Sequence, residues 1–170
     1  NGSQDLSIFK DVIKEIISLK IDSVIVIKST ILPDALYETY LEHSNIVYNP
    51  EFLREKYANK DFIESDLIVF GGSIDYVKQI SDFYDNYTQC KCKEYIKTDI
   101  ITASLIKYSI NSFLAMKVTF FNELKNVFDA SNAEDTWENF ISYLTKDLRL
   151  GHSHMSVPGH DGKLGFGGAC

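Results

Sequence analysis

Ser23-Val24-Ile25-Val26-Ile27-Lys28 holds an uninterrupted β-branched apolar run over 24–27, and the segment breaks at Ser29-Thr30-Ile31-Leu32-Pro33. Such a run fits a strand buried on both faces, as in a parallel α/β sheet, because a half-exposed strand would alternate apolar with polar residues. The flanking segments extend the theme. Leu6, Phe9, Val12, Ile13, Ile16, Ile17 and Leu19 fall at helical spacing with Lys and Glu between them, which predicts an amphipathic helix over 5–20, capped near Asp5 or Ser7. Residues 34–43 predict a second helix. Ile46-Val47-Tyr48 reads as a short strand stopped by Asn49-Pro50, and Leu67-Ile68-Val69-Phe70 as another halted by Gly71-Gly72. Residues 74–87 return to helix, and 94–97 read as a short last strand. Strands alternating with helices indicate a doubly wound sheet.

Beyond Thr98 the pattern changes. Between Asp99 and Ala130 there is no Gly or Pro, and Leu105, Ile110, Phe113, Leu114, Val118, Phe121, Leu124 and others wrap most of the circumference. A helix this long and apolar nearly all round is expected to be buried between domains or subunits. Residues 135–148 predict one more helix, and the Gly- and His-rich stretch from Gly151 reads as a loop. The expected fold is α/β: the later half of a Rossmann-like doubly wound sheet, then a long central helix and a small helical segment with a Gly-rich loop. The expected divisions fall at 1–97, 98–150 and 151–170. A doubly wound domain normally opens with a strand and its ligand loop, whereas this chain opens with a helix, so the start of the domain is expected to lie upstream.

Composition narrows the function. An apolar fraction of 45% with 24% charged residues is that of an ordinary soluble globular protein. The net charge of −7 argues against a nucleic-acid surface, which needs a basic stripe. No apolar run approaches the roughly 20 residues of a membrane span, and no basic-then-apolar leader is present, so the chain reads as cytoplasmic. Three cysteines, Cys90, Cys92 and Cys170, do not suggest a disulfide framework. Cys90-Lys91-Cys92 could be half a metal site, yet no second Cys or His pair stands at ligand spacing, and no metal is expected. His43, His152, His154 and His160 read as loop or surface residues.

Four constellations could carry chemistry. Residues 49–55, Asn-Pro-Glu-Phe-Leu-Arg-Glu, follow a short strand directly, and ligands in open α/β sheets lie beyond the carboxyl ends of strands. Glu51 and Glu55 would align if this segment is helical; the plainer reading is a Pro-started helix with acids complementing its dipole. Lys107 and Asn111 share one face of the long helix, with Ser104, Ala115 and Asn122 extending the stripe. They could present an ammonium and an amide to one developing oxyanion, or form a solvated seam or helix-to-helix hydrogen bonds. Residues 165–170, Gly-Phe-Gly-Gly-Ala-Cys, could fold around a ligand and hold a thiolate near exposed N–H groups, although a cysteine in a Gly-rich tail is more often incidental. Ser29 and Thr30 place hydroxyls at the same strand-end crevice, or simply cap a helix.

In order along the chain, these segments resemble the UDP-glucose/GDP-mannose dehydrogenase family, the nucleotide-sugar 6-dehydrogenases. Residues 26–33 are similar to its VxKSTxxP motif and residues 49–55 to NPEFLRE. The stretch from Leu105 to Glu123 is similar to LIKYxxNxFLAxKxxFxNE, and that from Pro158 to Cys170 to PGxxxxxGFGGxC. The resemblance covers essentially the whole chain. It implies a four-electron oxidation with NAD as cofactor, in which the C6 alcohol of a nucleotide sugar passes through a cysteine thiohemiacetal and thioester to the uronic acid. UDP-glucose stands first among the substrates implied, with GDP-mannose and UDP-N-acetylmannosamine as alternatives. It further implies a homodimer formed through helix 99–130 and a place in polysaccharide biosynthesis.

By motif, Cys170 is the implied nucleophile, Lys107 and Asn111 stabilise the oxyanion and position a water, Glu51 is the general base or acid, and Thr30 helps hold that water. Ser29, Thr30 and Glu55 are implied on the cofactor side. Phe52, Leu53, Arg54, Lys107, Asn111, Gly165, Phe166 and Gly167 are implied around the substrate, with Gly168 closing that loop. There are departures. No Gly-x-Gly-x-x-Gly is present, the Lys-Asp expected after the cysteine and the second nucleotide-binding domain are absent, and Ser104 stands where the family usually has Glu. The chain alone is therefore expected not to oxidise nucleotide sugars. A non-catalytic dimerising or binding module is the competing expectation.

Overall fold

The computed structural model describes residues 4–92 and 94–167, with only the backbone of Glu55. It divides into two compact units, Asn1–Lys107 and Tyr108–Cys170. The first unit is built on a four-stranded sheet in the order β1 (Ile25–Ile27), β2 (Ile46–Tyr48), β3 (Val69–Gly72) and β4 (Ile96–Thr98). Four helices accompany it: α1 (Ser7–Ser18), α2 (Pro33–Glu42), α3 (Ala58–Ile63) and α4 (Ile74–Tyr87). The long helix α5 (Ile100–Ala130) starts in this unit and runs into the second, which adds α6 (Trp137–Leu144).

The alternation of side chains along each strand gives the sheet two buried faces. Ile27, Ile46, Tyr48 and Val69 pack with Ile13 of α1, Leu36 of α2, and Ile100 and Ala103 from the start of α5. Val47 and Phe70 point the other way, onto Val77 and Tyr84 of α4 and onto Cys90 and Cys92. Helices thus cover both faces, as the α/β reading expects. The two cysteines behave as small buried apolar groups. Among the described residues, no cluster of three or more His, Cys, Asp or Glu could hold a metal ion.

The sheet is mixed. β1 pairs parallel with β2 and β3 with β4, whereas β2 and β3 run antiparallel, with Val47 opposite Gly72 and Tyr48 opposite Gly71. The physical reason lies in the connection from β2 to β3. Its only helical parts are a 3₁₀ turn over Glu55–Tyr57 and the six-residue α3, too short to carry the chain back across the sheet. The chain therefore re-enters at the end where β2 leaves. That connection also answers the question of Glu51 and Glu55: residues 51–54 are not helical, so the two acids do not align on one helix face.

β3 runs through the two glycines that were expected to halt it. A Cβ on Gly71 would lie 2.5 Å from the Ala103 Cβ and 2.9 Å from the Asp99 carbonyl oxygen, so the missing side chain is what lets the first turn of α5 approach β3. Asp99 caps that turn by accepting from the Thr102 N–H at 2.9 Å, which holds its carboxyl below the usual carboxylate range.

In the second unit Phe121, Trp137 and Met155 form a small core. Phe128 stacks on Phe140 at 5.0 Å and meets Trp137 edge-on at 5.6 Å. α6 begins where the Thr136 hydroxyl accepts from the Asn139 N–H at 3.2 Å, a side-chain N-cap, and ends before the expected 148. Phe113, Met116, Phe120 and Val127 of α5, spaced as one helix stripe, are 58–63% exposed. Among the described residues, no helix is long and apolar enough to cross a membrane.

Candidate active site

The carboxyl ends of β1 and β2 lie side by side, which brings the Lys28-Ser29-Thr30 and Asn49-Pro50-Glu51 segments to one edge of the sheet. Two lysines converge there on Glu51. The Lys28 Nζ lies 3.1 Å from the Glu51 Oε1, and the Lys107 ammonium, arriving from the second turn of α5, donates to the Glu51 backbone carbonyl. Lys107 is buried and also sits over the Phe52 ring, 5.1 Å from its centre. A buried ammonium needs such partners, since desolvating it alone costs several kcal/mol.

Lys28 is itself held. Its Nζ donates to the Asn49 Oδ1 at 3.0 Å and to the Tyr84 hydroxyl at 3.3 Å, while Tyr84 donates to the same Asn49 oxygen at 2.6 Å. The Asn49 amide donates in turn to the Val69 carbonyl at 2.9 Å. Beside this network lies a cleft of about 620 Å³ whose walls include Lys28, Glu51, Leu53, Phe62, Phe83 and Tyr84. It stands where open α/β sheets take their ligands.

The segment after Lys28 is fixed by two side chains. The Gln4 amide donates to the Thr30 carbonyl at 2.7 Å and accepts from the Leu32 N–H at 3.1 Å. The Ser104 hydroxyl, fully buried, donates to the Ile31 carbonyl at 2.8 Å, so the serine that departs from the expected Glu ties α5 to this loop. Ser29 is exposed and Thr30 half-buried beyond the carboxyl end of β1.

Phe52 and Leu53, which follow Glu51 directly, are half-buried. Arg54 is exposed and clamped: its Nε and Nη2 reach Asp61 at 2.9 and 2.7 Å, and its N–H reaches the same carboxylate at 2.9 Å. These bonds push the Asp61 carboxyl down to about 2. The guanidinium also stands 5.0 Å over the Tyr57 ring.

In the second unit Asn111 is half-buried on α5, and Gly165, Phe166 and Gly167 are exposed. Gly165 has a φ of +79° with open space around it, and its N–H donates to the Asn122 side chain at 2.9 Å. Lys117 donates to the Leu150 carbonyl at 2.7 Å, so two polar residues of the α5 motif anchor the loop that follows. Burial lowers the Lys117 ammonium below its ordinary range. Gly168 and Cys170 lie outside the described residues.

The structure thus joins Glu51, Phe52 and Lys107, and adds Lys28, Asn49 and Tyr84, which sequence reasoning left without a role. Lys28 and Asn49 stand inside the quoted motifs, so a signal existed. Tyr84 stands in none.

Known proteins match the chain along its length. The profile of the UDP-glucose/GDP-mannose dehydrogenase NAD binding domain matches residues 1–88, and that of the central domain of the same family matches 101–170. The UDP-glucose 6-dehydrogenase of Rickettsia bellii is 36% identical over 182 residues, covering 100% of this chain and 39% of that protein. The AglM UDP-glucose 6-dehydrogenase of Haloferax volcanii is 32% identical over 191 residues, covering 100% and 42%. The chain therefore spans about two fifths of the length of these relatives. Among solved structures, a ternary complex of GDP-mannose dehydrogenase from Pseudomonas aeruginosa superposes with a TM-score of 0.76 at 26% identity, covering 92% of this chain and 39% of that one. A UDP-glucose dehydrogenase from Pyrobaculum islandicum gives 0.65 at 29%, covering 85% and 33%. With residues 1–88 matching that NAD binding domain and residues 101–170 matching the central domain, the chain belongs to the UDP-glucose/GDP-mannose dehydrogenase family.

Proposed function

We propose that the protein carrying this chain oxidises UDP-glucose to UDP-glucuronate, in the cytoplasm and as a homodimer. The observation that carries the reading is the convergence of two ammonium groups on Glu51, Lys28 at its carboxylate and Lys107 at its carbonyl. NAD, when bound, supplies two successive hydride acceptors, so that alcohol, water and two NAD⁺ give carboxylate, two NADH and three protons.

The chain's own residues supply the rest. The Cys170 thiolate adds to the C6 aldehyde to form a thiohemiacetal, whose oxidation leaves a thioester. Lys107 and Asn111 hold the oxygen that gains negative charge at each addition. Glu51 removes a proton from the water that cleaves the thioester, which returns the cysteine as leaving group. Thr30 helps to hold that water. Phe52, Leu53 and Arg54 are assigned to the sugar nucleotide, as are Gly165, Phe166 and Gly167. Ser29, Thr30 and Glu55 stand on the cofactor side. The exposed stripe of Phe113, Met116, Phe120 and Val127 becomes the subunit contact.

NADH formation by the full-length protein, measured with UDP-glucose, GDP-mannose and UDP-N-acetylmannosamine, tests this. The reading predicts turnover with UDP-glucose at two NADH per sugar. Turnover only with another of the three sugars would move the substrate assignment, and no turnover with any of them would overturn the reading.

A further inference from the structure

We propose that Tyr84 is a positioning residue for Glu51, acting through Lys28. This rests on the acid–base reading of Glu51 above and adds a residue from outside every motif, on the helix that covers the opposite sheet face from α5.

An ammonium has three N–H donors and no acceptor. Lys28 spends one on the Asn49 Oδ1 at 3.0 Å, one on the Tyr84 hydroxyl at 3.3 Å, and the third faces the Glu51 carboxylate at 3.1 Å. The first two acceptors are rigid. Asn49 is 2% exposed; its N–H donates to the Ile27 carbonyl at 2.8 Å and its side-chain amide to the Val69 carbonyl, which fixes the oxygen on the lysine side. Tyr84 is buried, with its ring edge-on to Phe70 at 5.0 Å and to Phe62 at 5.9 Å, so the hydroxyl cannot swing away. Its own proton goes to the Asn49 oxygen at 2.6 Å.

Glu51 is the mobile member. Its side chain is 44% exposed, and a long carboxylate at a surface would sample several rotamers. A half-exposed ion pair adds little to stability. What the network supplies is location: the cation that meets the carboxylate is held from two fixed directions, and the carboxylate is thereby held too. Losing the Tyr84 oxygen removes one of those directions while leaving the ring, and with it the core packing, in place.

The test uses the full-length enzyme, with Tyr84→Phe, Glu51→Gln and the double variant. A second cycle replaces Glu51→Gln by Lys28→Met. kcat and KM are read from NADH formation, and thermal midpoints alongside. The expected result is a fall in kcat of about tenfold for Tyr84→Phe, with KM for the nucleotide sugar unchanged, as for a misplaced catalytic group. In the Glu51→Gln and Lys28→Met backgrounds the same substitution should leave kcat unchanged, because the group it acts through is gone. An equal fall in every background, or no fall in the wild-type background while Glu51→Gln is impaired, overturns the proposal and leaves the acid–base reading standing. A fully active Glu51→Gln overturns both.

Discussion

The two units solve the burial of their apolar groups differently. In Asn1–Lys107 a sheet is covered on both faces, and the charged groups of the candidate site are tied to neighbours within the same unit. In Tyr108–Cys170 a small aromatic core leaves a stripe of Phe113, Met116, Phe120 and Val127 to solvent, and the glycines around Phe166 are exposed. A sheet closes its own faces once helices lie on both sides, whereas one long helix with a single short partner cannot cover its circumference. The first unit therefore holds its charged side chains in a set geometry, and the second leaves apolar side chains exposed.

The largest effect is expected where that difference is sharpest. Phe120→Glu puts a carboxylate into the exposed stripe. If the stripe is a subunit contact, burying an unpaired charge costs several kcal/mol and the full-length protein becomes monomeric in analytical ultracentrifugation at micromolar concentration. A dimer of unchanged affinity would break the comparison, because the stripe would then be ordinary surface.

Next come the glycines. Gly71→Ala forces a Cβ against backbone and Ala103, and is expected to destabilise the first unit by about 3 kcal/mol in denaturant unfolding. Gly165→Ala meets open space and bears only the left-handed backbone penalty of about 1 kcal/mol. Equal costs would mean that the two regions are packed alike.

The smallest effect is electrostatic. Asp61 is held near 2 by Arg54, below its ordinary value of 3.8, so the pair contributes stability above about pH 4 that is lost as pH falls towards 2. Asp61→Asn should therefore be less stable than the wild type at pH 6, with a gap that narrows by pH 2, closes only below it and shrinks in high salt. A gap that persists well below pH 2 would assign the effect to packing.

Much of the first unit is legible in the residues alone. The run over 24–27, the helix over 74–87 and the Gly- and Pro-free stretch from 99 to 130 each carry a period or a composition that admits few alternatives. The turn over Glu55–Tyr57 and α3 escape because Lys56, Asn59, Lys60 and Asp61 leave no apolar period to read. The reversal between β2 and β3 escapes for the same reason, since it depends on the shortness of that connection. Glu51 and Lys107 could be paired through their motifs. Tyr84 lies 35 residues from Asn49, and its hydroxyl becomes visible as a partner only when α4 is packed onto the sheet. Its sequence position matches any core aromatic. Cys170 rests on motif alone.

That residue decides the central claim, that this chain carries the catalytic centre of a thioester-forming nucleotide-sugar dehydrogenase. The direct measurement is product analysis of the full-length Cys170→Ser variant with UDP-glucose and NAD, by mass spectrometry of the sugar nucleotide. The account predicts that UDP-glucuronate formation is lost while UDP-glucose binding is retained. UDP-glucuronate formed at the wild-type rate would contradict it.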